Sequence, residues 1–581
     1  MNPITRHGIL KTSLTRLTLM LAALCLLGCQ AWVGSKPEAT QAFDTSEVAA
    51  KPRDNGLDEH WHHGAFMEIF VRAYQDSDGD GVGDLRGLIS RLDHLQRLGV
   101  RGIWLMPVTL SADRDHGYAT TDFRRIEPDY GTLQDMRELL RQAHKRGIGV
   151  IMDYVINHSS HEFPPFQAAL ADPQSPLRDW FVWSVDAPKG WDIWGKNPWY
   201  HAGSKPWTFK GEAKDLPAAP AGAKGHYFGT FGPHMPDFNL RHEPALRYHL
   251  DSLRWWMNMG LDGVRLDAVP HMIENSARDW TDQPESRALT RQLQDLVKSY
   301  PKRYTVCEAT SSPEVYGRPD VCGSAFAFGL IPHIVAAPKG DTAAVKAMVA
   351  YWQTAPLGMA TFLSNHDIFA GPRAWDQFAG DEARYKLAAS TYLLMPGTPF
   401  IYYGEEVGQA GLPGLSGDLP IRGPMSWDTR PHAGFTKGRP FRAAAPNAAR
   451  HNVLAQRTGT RSILRHYEDM LTLRNTRASI ARGSWERAFA DGLVMGFERV
   501  LDAERTLVLI NYGPEVRNVR LPQSAAPSGP SARLLWASEP AMAGRLQAAF
   551  NTVAFEPQGQ RLAPQSVQVW DLSGQHLSGR P

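Results

Sequence analysis

The feature that most constrains the fold is a regular alternation of short apolar runs with helical patterns between residues 66 and 474. The runs have the length and alternation of strands, and apolar residues spaced three or four apart follow them, as at Leu88, Leu92 and Leu95. The eight predicted strands are residues 66–74, 102–108, 150–156, 263–269, 304–309, 325–330, 359–363 and 399–403. Eight strands that alternate with helices favour an α/β fold, a closed parallel (β/α)8 TIM barrel. A doubly wound open sheet is the alternative.

Two regions depart from this alternation and predict further domains. Residues 159–240 follow the third strand and contain six tryptophans, many prolines and glycines, and no clear helix. An insertion after a barrel strand lies over the site, so we expect a subdomain that forms one wall of a cleft. The barrel itself would comprise residues 59–158 and 241–483. Residues 484–581 consist of short alternating runs with a Pro/Ser-rich break, which predicts a C-terminal antiparallel β-sandwich domain.

The N-terminus has the features of a targeting segment. Basic residues precede an apolar run at 17–27 that is too short to span a bilayer as a mature helix. The run ends in LLGC, which resembles the lipobox of bacterial lipoproteins and implies a signal peptide within residues 1–29 and lipidation of Cys29. Gln30 rather than Asp after the cysteine resembles the outer-membrane form of such lipoproteins, which implies a secreted protein that is lipid-anchored in the cell envelope. Residues 30–58 would be a flexible tether. An ordinary signal peptide is the alternative.

The composition narrows the range of partners. Lys plus Arg number 62 against 60 Asp plus Glu, so the net charge of +2 gives no reason to expect a nucleic acid. The 18 tryptophans favour surfaces on which sugars stack. Neither a protein partner nor a membrane contact beyond the lipid is indicated. Cys307 and Cys322 could pair in an oxidising envelope or remain as buried thiols, since spacing alone does not establish geometry.

Acidic residues stand at the ends of the fourth, fifth and seventh predicted strands. In the fourth, which follows a helical pattern ending at Gly260, Arg265 and Asp267 point to the same face. A neighbouring Arg keeps an Asp ionised, as a nucleophile must be. Glu308 and Asp367 end the other two strands. Three converging carboxylates suit glycoside hydrolysis, whereas Arg265 and Asp267 alone could be a structural ion pair.

Five short segments resemble sequence regions that characterise the α-amylase family of glycoside hydrolases. They are DYVINH ending at His158, MPDFN at residues 235–239, GVRLDAVPH ending at His271, CEA around Glu308 and FLSNHD ending at Asp367. The resemblance covers most of the chain from about residue 60 onward. It implies that Asp267 is the nucleophile, that Glu308 is the general acid/base, and that Asp367 orients sugar hydroxyls and raises the acidity of Glu308.

The same resemblance implies a set of substrate-binding residues. These are Tyr118, His158, Arg265, His271 and His366. Tyr118 would stack under the reacting ring, and His271 would contact the sugar beyond the cut. Pro270 stands where many α-amylases have Lys, and Ser364 replaces a usual Asp. These departures put the subsite preference in doubt more than the activity.

An acidic, glycine-rich loop predicts a structural Ca²⁺ site. The predicted ligands, at alternate positions of the loop, are Asp76, Asp78, Asp80, the Val82 carbonyl and Asp84. Position twelve is Gly87 rather than Glu, so the loop is not a full EF-hand. It resembles cation-binding loops of the oligosaccharide-cleaving branch of the family, and a solvated acidic turn is the alternative. Asn157 would be a weaker candidate for a second cation.

The resemblance leaves more than one activity open. MPDFN resembles the MPDLN form of a group intermediate between oligo-1,6-glucosidases and neopullulanases, and favours a retaining, endo-acting hydrolase of α-1,4 bonds in starch, glycogen or maltooligosaccharides. The alternative is an exo-acting α-glucosidase or a glucosyl-transferring enzyme such as trehalose synthase. Asp115 to Tyr118 resembles the DxGY of those enzymes, and Pro270 their DAVPY. A non-catalytic glycan-binding member of the fold is a third possibility.

Overall fold

The computed structural model describes residues 43–113, 115–204, 223–521, 532–538, 556 and 559–573. Two compact units divide after Thr45, and the second unit contains every helix and strand described below. The predicted signal peptide and Cys29 lie outside the described residues, so export and lipidation stay predictions. Among the helices that the structure describes, none is long and apolar enough to cross a membrane.

Parallel strands close into a barrel. Seven of them are Phe66–Ile69, Gly102–Leu105, Gly149–Tyr154, Gly263–Leu266, Tyr304–Cys307, Ala360–Thr361 and Thr398–Tyr402. Each pairs in parallel with its neighbours, and the first strand pairs with both the second and the last. Single parallel bridges from Cys307 to Ala325 and from Phe326 to Ala360 take the sixth position and complete the ring. The closed ring confirms the (β/α)8 prediction and excludes the open sheet.

The first strand is shorter than predicted. Apolar residues continue to Tyr74, but the strand ends at Ile69 and residues Val71–Tyr74 form a helical turn. Every residue from Phe66 to Tyr74 is buried, so the local pattern does not distinguish a strand from a buried turn. This turn leads into the acidic loop that precedes the helix Leu85–Leu98.

Helices surround the barrel and continue to its C-terminal end. Within the described residues they are Val71–Tyr74, Leu85–Leu98, Leu133–His144, Pro164–Ala171, Glu243–Met259, Pro284–Lys298, Pro313–Tyr316, Ile331–Ala336, Thr342–Thr354, Ala374–Gln377, Glu382–Leu394, Val453–Thr458, Ile463–Thr476 and Ala478–Arg482. The helix before the fourth strand ends at Gly260, whose φ of +113° is left-handed, as the sequence predicts. That glycine turns the chain directly into the strand that carries Arg265.

The insertion after the third strand contains a small antiparallel sheet. Its strands are Trp183–Ser184, Trp199–His201 and His226–Phe228, with the last in the centre. Aromatic packing forms its core, in which Phe166 stacks on Trp183 and Phe181 on Phe238. A hairpin, Thr109–Ser111 with Thr120–Ile126, follows the second barrel strand. Both features lie after carboxyl ends of strands and so border the site.

The C-terminal region is an antiparallel β domain. Five strands form one sheet, in the order Ser484–Asp491, Val494–Leu501, Glu504–Asn511, Ser566–Asp571, Arg533–Ala537. A two-stranded sheet, Arg517–Val519 with Gln560–Leu562, packs near it through a shared apolar core that includes Leu507, Leu562 and Trp570.

Part of the predicted tether is hydrogen bonded to the barrel. The Val48 amide donates to Asp251 and the Lys51 amide to Asn258, both on the helix Glu243–Met259. Asn55 donates to Asp262 at the start of the fourth strand. Residues 46–58 therefore run along the outside of the barrel.

Candidate active site

A cavity of about 520 Å³ opens at the carboxyl ends of the barrel strands. Asp267, Glu308 and Asp367, the three predicted catalytic carboxylates, all line it. The predicted substrate-binding residues fall into two groups: Tyr118, His158 and His271 line the cavity, whereas Arg265 and His366 lie buried beneath it. The structure therefore brings together every residue that the sequence analysis selected for catalysis and sugar binding.

Arg265 lies at the centre of three carboxylates. Its guanidinium is buried and forms ion pairs with Asp153 at 2.7 Å, with Glu308 at 2.9 Å and, at short range, with Asp267. A single cation between three buried anions reduces their mutual repulsion and fixes their spacing. The ring of Trp104 lies beside the same guanidinium, 5.3 Å from its centre.

Burial raises the pKa values of Asp267 and Glu308 above those of exposed carboxyls. It raises the pKa of Asp267 to about 6, with Arg265 opposing the rise. It raises the pKa of Glu308 to about 7, again opposed by Arg265 and reinforced by Asp267 and Asp367. At neutral pH these directions favour an ionised Asp267 and a Glu308 that keeps its proton to a higher pH than an exposed carboxyl does. These are the states that a nucleophile and a proton donor require.

His366 connects the third carboxylate to the floor of the barrel. Its Nδ1 lies 2.6 Å from Glu68 of the first strand and its Nε2 lies 3.1 Å from Asp367. Burial alone would lower the pKa of His366, but Asp367 and Glu68 raise it to about 10. Burial alone would raise the pKa of Asp367, but His366 and Arg422 lower it below its ordinary value. Asp367 is thus an anion held between two cations.

Tyr118 provides a flat surface above this floor. Its ring stacks on His366 with centroids 5.4 Å apart and planes 16° apart, and its hydroxyl donates to Asp153 at 2.8 Å. Burial lowers the pKa of His158 to about 3 and that of His271 to about 4, so both imidazoles are neutral. Neutral imidazoles on the cavity wall can exchange hydrogen bonds with sugar hydroxyls.

Beside Asp367 lies a network of charged residues that we call the charged wall: Asp115, Asp418, Arg422 and Arg442. Of these, Asp418 and Arg422 line the cavity. The Arg422 guanidinium contacts Asp367 at 3.2 Å, Asp418 at 3.0 Å and Asp115 at 3.4 Å. Arg442 forms a second ion pair with Asp115 and donates to the Arg422 carbonyl. The wall thus connects the hairpin after the second strand to the segment after the eighth, directly beside Asp367.

The acidic loop, residues 76–84, gathers part of the predicted cation ligands. Carboxylate oxygens of Asp76, Asp78 and Asp84 lie within 4.8 Å of one another. Asp76 accepts hydrogen bonds from the Gly79 and Gly81 amides and from Thr436. Asp80 is not part of this group, and its carboxylate accepts from the Val82 amide. Three clustered carboxylates repel one another, so their donor chemistry fits a hard divalent cation such as Ca²⁺.

A second buried acidic residue, Asp237, lies beside Asn157, with which its side chain forms a hydrogen bond. Burial raises the pKa of Asp237 to about 7, and burial together with the charge of Asp237 raises the pKa of Glu274 to about 8. Asp237 accepts hydrogen bonds from the amide and hydroxyl of Thr230 and pairs with the His158 backbone. These oxygen ligands join the barrel to the insertion, where the sequence analysis placed its weaker cation candidate.

Cys307 and Cys322 form a disulfide, which decides between the alternatives left open by the sequence. Both residues are buried, and Cys307 directly precedes Glu308. The bond joins the end of the fifth strand to the segment that bridges to it at Ala325. It therefore lies immediately behind the acid/base candidate.

The sequence analysis did not select Glu68, Asp153, Arg422 or Arg442. Asp153 stands within DYVINH, at a predicted strand end, and Glu68 is a charge inside the apolar run FMEIF. A charged residue at a strand end or inside an apolar strand indicates a functional position, so the sequence could have predicted both. Arg422 and Arg442 lie in an irregular segment and have no local pattern that predicts a contact with Asp115.

Fold and site together define the class of protein: a glycoside hydrolase built on a (β/α)8 barrel. Residues 68–483 match the family model described as the catalytic domain of alpha amylase. The chain belongs to the α-amylase family.

The relatives have several activities. The trehalose synthase/amylase TreS of Mycobacterium tuberculosis strain CDC 1551 is 31% identical over 502 residues, which are 78% of this chain and 81% of that protein. The oligo-1,6-glucosidase of Parageobacillus thermoglucosidasius is 27% identical and covers 80% of this chain and 92% of its own length. The structure of the trehalose-6-phosphate hydrolase of Bacillus licheniformis has a TM-score of 0.73 at 24% identity, with 88% of this chain and all of that chain covered.

Proposed function

We propose that the chain is a retaining, exo-acting α-glucosidase that removes one glucosyl unit from a short α-glucoside and passes it to water or to an acceptor sugar. The sequence analysis favoured endo action, but its alternative has the better support. The observation that carries the proposal is the charged wall beside Asp367. The names of the relatives, a trehalose synthase/amylase and an oligo-1,6-glucosidase, agree with it.

The position of the wall defines which part of a substrate fits. The reacting sugar lies over Tyr118, within reach of His158 and Asp367 on the cavity wall. An endo-acting enzyme needs an open path for the glucan chain on both sides of this ring. We infer that Arg422 blocks one side, because it joins Asp367, which lines the cavity, to Asp115. We therefore expect only a terminal sugar to fit, with its outer hydroxyls toward the charges of the wall.

We assign a role in each step of the reaction to the charged groups of the site. Ionised Asp267 attacks the anomeric carbon while protonated Glu308 gives its proton to the departing oxygen, which leaves a glucosyl ester on Asp267. Glu308, now ionised, removes a proton from water or from an acceptor hydroxyl that attacks the ester. Arg265 stabilises both carboxylates, and Asp367, kept as an anion by protonated His366, binds sugar hydroxyls. The two reacting carboxylates contact one guanidinium and interact with each other, and a retaining mechanism needs two such neighbouring carboxyls.

A maltoheptaoside whose non-reducing end is blocked as a 4,6-ethylidene acetal tests the proposal. The parent should release glucose singly from unblocked maltoheptaose and should not cleave the blocked compound. Cleavage of the blocked compound into a spread of products would overturn the proposal and restore endo action.

The Arg442→Ala variant tests the wall itself. It should lower kcat/KM for maltose by about 30-fold, because a hydrogen bond to a charged group contributes about 1.5–3 kcal/mol. Arg439→Ala is the matched control, since Arg439 is exposed in the same segment. An equal effect of both variants would contradict the role of the wall.

Glucosyl transfer is the second candidate function, and the closed end of the cavity supports it too. A glucosyl enzyme shielded on one side can be attacked only from the other, where an acceptor sugar competes with water. Trehalose formed from maltose, quantified over time, distinguishes this activity from hydrolysis to glucose. We also propose that Ca²⁺ is bound by Asp76, Asp78 and Asp84, where it would stabilise the acidic loop.

A further inference from the structure

We propose that Trp194, at the tip of a tight turn in the insertion, is the platform on which the leaving or accepting sugar stacks. The proposal rests on the exo-acting function given above and names the second sugar of the substrate as its ligand. It concerns the end of the cavity opposite the charged wall.

The backbone of this turn is unfavourable for a tryptophan. Ile193 and Lys196 exchange backbone hydrogen bonds of 2.8 and 3.0 Å across a two-residue turn. Its central residues, Trp194 and Gly195, both have positive φ, +49° and +81°. Turns with positive φ at both positions favour Asn or Asp followed by Gly, because large side chains are strained there. A Trp held in this conformation indicates a role beyond closing the turn.

The solvent exposure of the Trp194 indole is a second unfavourable feature, independent of the backbone conformation. Trp194 is 61% exposed, although large aromatic side chains are normally buried. The ring is not loose, because it packs against Phe231, His271 and Trp280 at centroid distances of 5.4 to 5.7 Å. The side chain is therefore held in place by its neighbours while much of it faces solvent at the cavity mouth.

The position of the ring matches the departing sugar. Trp194 and His271 both line the cavity, as does Glu308, whose proton goes to the departing oxygen. The charged wall closes the other end, so the departing sugar must extend past Glu308 and His271 toward Trp194. Phe369 lines the same cavity, is 60% exposed and packs against Phe328. The apolar face of a pyranose is complementary to such rings.

The Trp194→Asn variant separates binding from folding, because Asn is a residue that the turn favours. Two substrates are compared: maltose, which carries a second sugar, and α-glucosyl fluoride, which does not. We expect kcat/KM for maltose to fall by about tenfold relative to that for α-glucosyl fluoride, as the loss of about 1.4 kcal/mol of binding produces. The thermal midpoint should be no lower than that of the parent. The ratio of transfer to hydrolysis with added glucose should fall as well.

Two further variants are controls. Trp194→Phe keeps a ring and should restore most of the maltose preference. Trp255→Asn removes a half-buried indole from the helix Glu243–Met259, outside the cavity, and should leave the ratio of the two substrates unchanged. A Trp194→Asn variant that loses activity on both substrates equally, or on neither, overturns the proposal.

Measurements on the parent enzyme distinguish failure of the exo-acting function from failure of the role of Trp194. If the parent forms neither glucose nor a transfer product from maltose, the exo-acting function fails and the role of Trp194 fails with it. If the parent does release glucose but the ratio of substrates is the same in Trp194→Asn, only the role of Trp194 is overturned.

Discussion

The two ends of the active-site cavity differ in chemistry. At one end, Arg422 and Arg442 form ion pairs with Asp115, and in the proposed function these charges meet the hydroxyls of a terminal sugar. At the proposed acceptor end, the Trp194 indole is 61% exposed and packs against Phe231, His271 and Trp280. Charged groups in fixed positions reject a ligand that lacks the matching hydroxyls, whereas aromatic faces accept many rings. In the proposed function, the closed end would therefore select the glucosyl donor, and the open end would tolerate several acceptors.

The largest expected effect comes from the carboxyl between the two ends. Glu308→Gln should lower kcat for maltose by about 10²- to 10⁴-fold, because the departing oxygen loses its proton donor. Fluoride leaves without protonation, so α-glucosyl fluoride should still form the glucosyl ester. Azide attacks this ester without the help of a base, so added azide should release the glucosyl unit from Asp267 as glucosyl azide. A variant as active as the parent on maltose would contradict the assignment of Glu308 as the proton donor, whereas a parent inactive on α-glucosides would indicate a non-catalytic glycan-binding protein.

The same variant has a characteristic pH dependence. In the parent, kcat/KM for maltose should fall below about pH 6 as Asp267 gains a proton and above about pH 7 as Glu308 loses one. Glu308→Gln should lose the alkaline limb and keep the acidic one. Initial rates between pH 4 and 9 check both limbs, and an alkaline limb that persists in the variant would contradict the assignment of Glu308.

Removal of the disulfide behind Glu308 should affect the two ends of the cavity equally. The cross-link between Cys307 and Cys322 spans 15 residues, and such a loop constrains the unfolded chain by about 3 kcal/mol. Cys322→Ser should lower the free energy of unfolding by about that amount. Denaturant unfolding measures this loss, with dithiothreitol-treated parent under denaturing conditions as the comparison. The relative activities on maltose and α-glucosyl fluoride should stay those of the parent, and a change in their ratio would show that the bond acts on one end only.

The sequence predicted the features that depend on local pattern. The eight-stranded barrel follows from strand and helix periodicity, and Asp267, Glu308 and Asp367 each stand at a strand end, so their convergence follows from the fold. Contacts between distant segments had no such signal. His366 meets Glu68 across 298 positions, and Arg422 meets Asp115 across 307. The charged wall, which carries the proposed function, was therefore visible only in three dimensions.

The smallest expected effect concerns the acidic loop, residues 76–84, which supports the closed end. Asp76 donates its amide to Phe435 and accepts from Thr436, and the Phe441 amide donates to Gly81, one residue before Arg442. A cation bound by this loop would hold the segment that carries the wall. Chelation should lower the free energy of unfolding by about 2.7 kcal/mol if the parent holds Ca²⁺ at 100 times its Kd.

Chelation should differ from Trp194→Asn in leaving the ratio of activities on the two substrates unchanged. Both maltose and α-glucosyl fluoride need the closed end, so their kcat/KM values should fall together and recover when CaCl₂ is added. Asp78→Asn should weaken the calcium-dependent shift of the thermal midpoint, whereas Asp80→Asn, outside the carboxylate group, should preserve it. If chelation changed the ratio of the two substrates instead, the acidic loop would act on the aromatic end and the division between the two ends would fail.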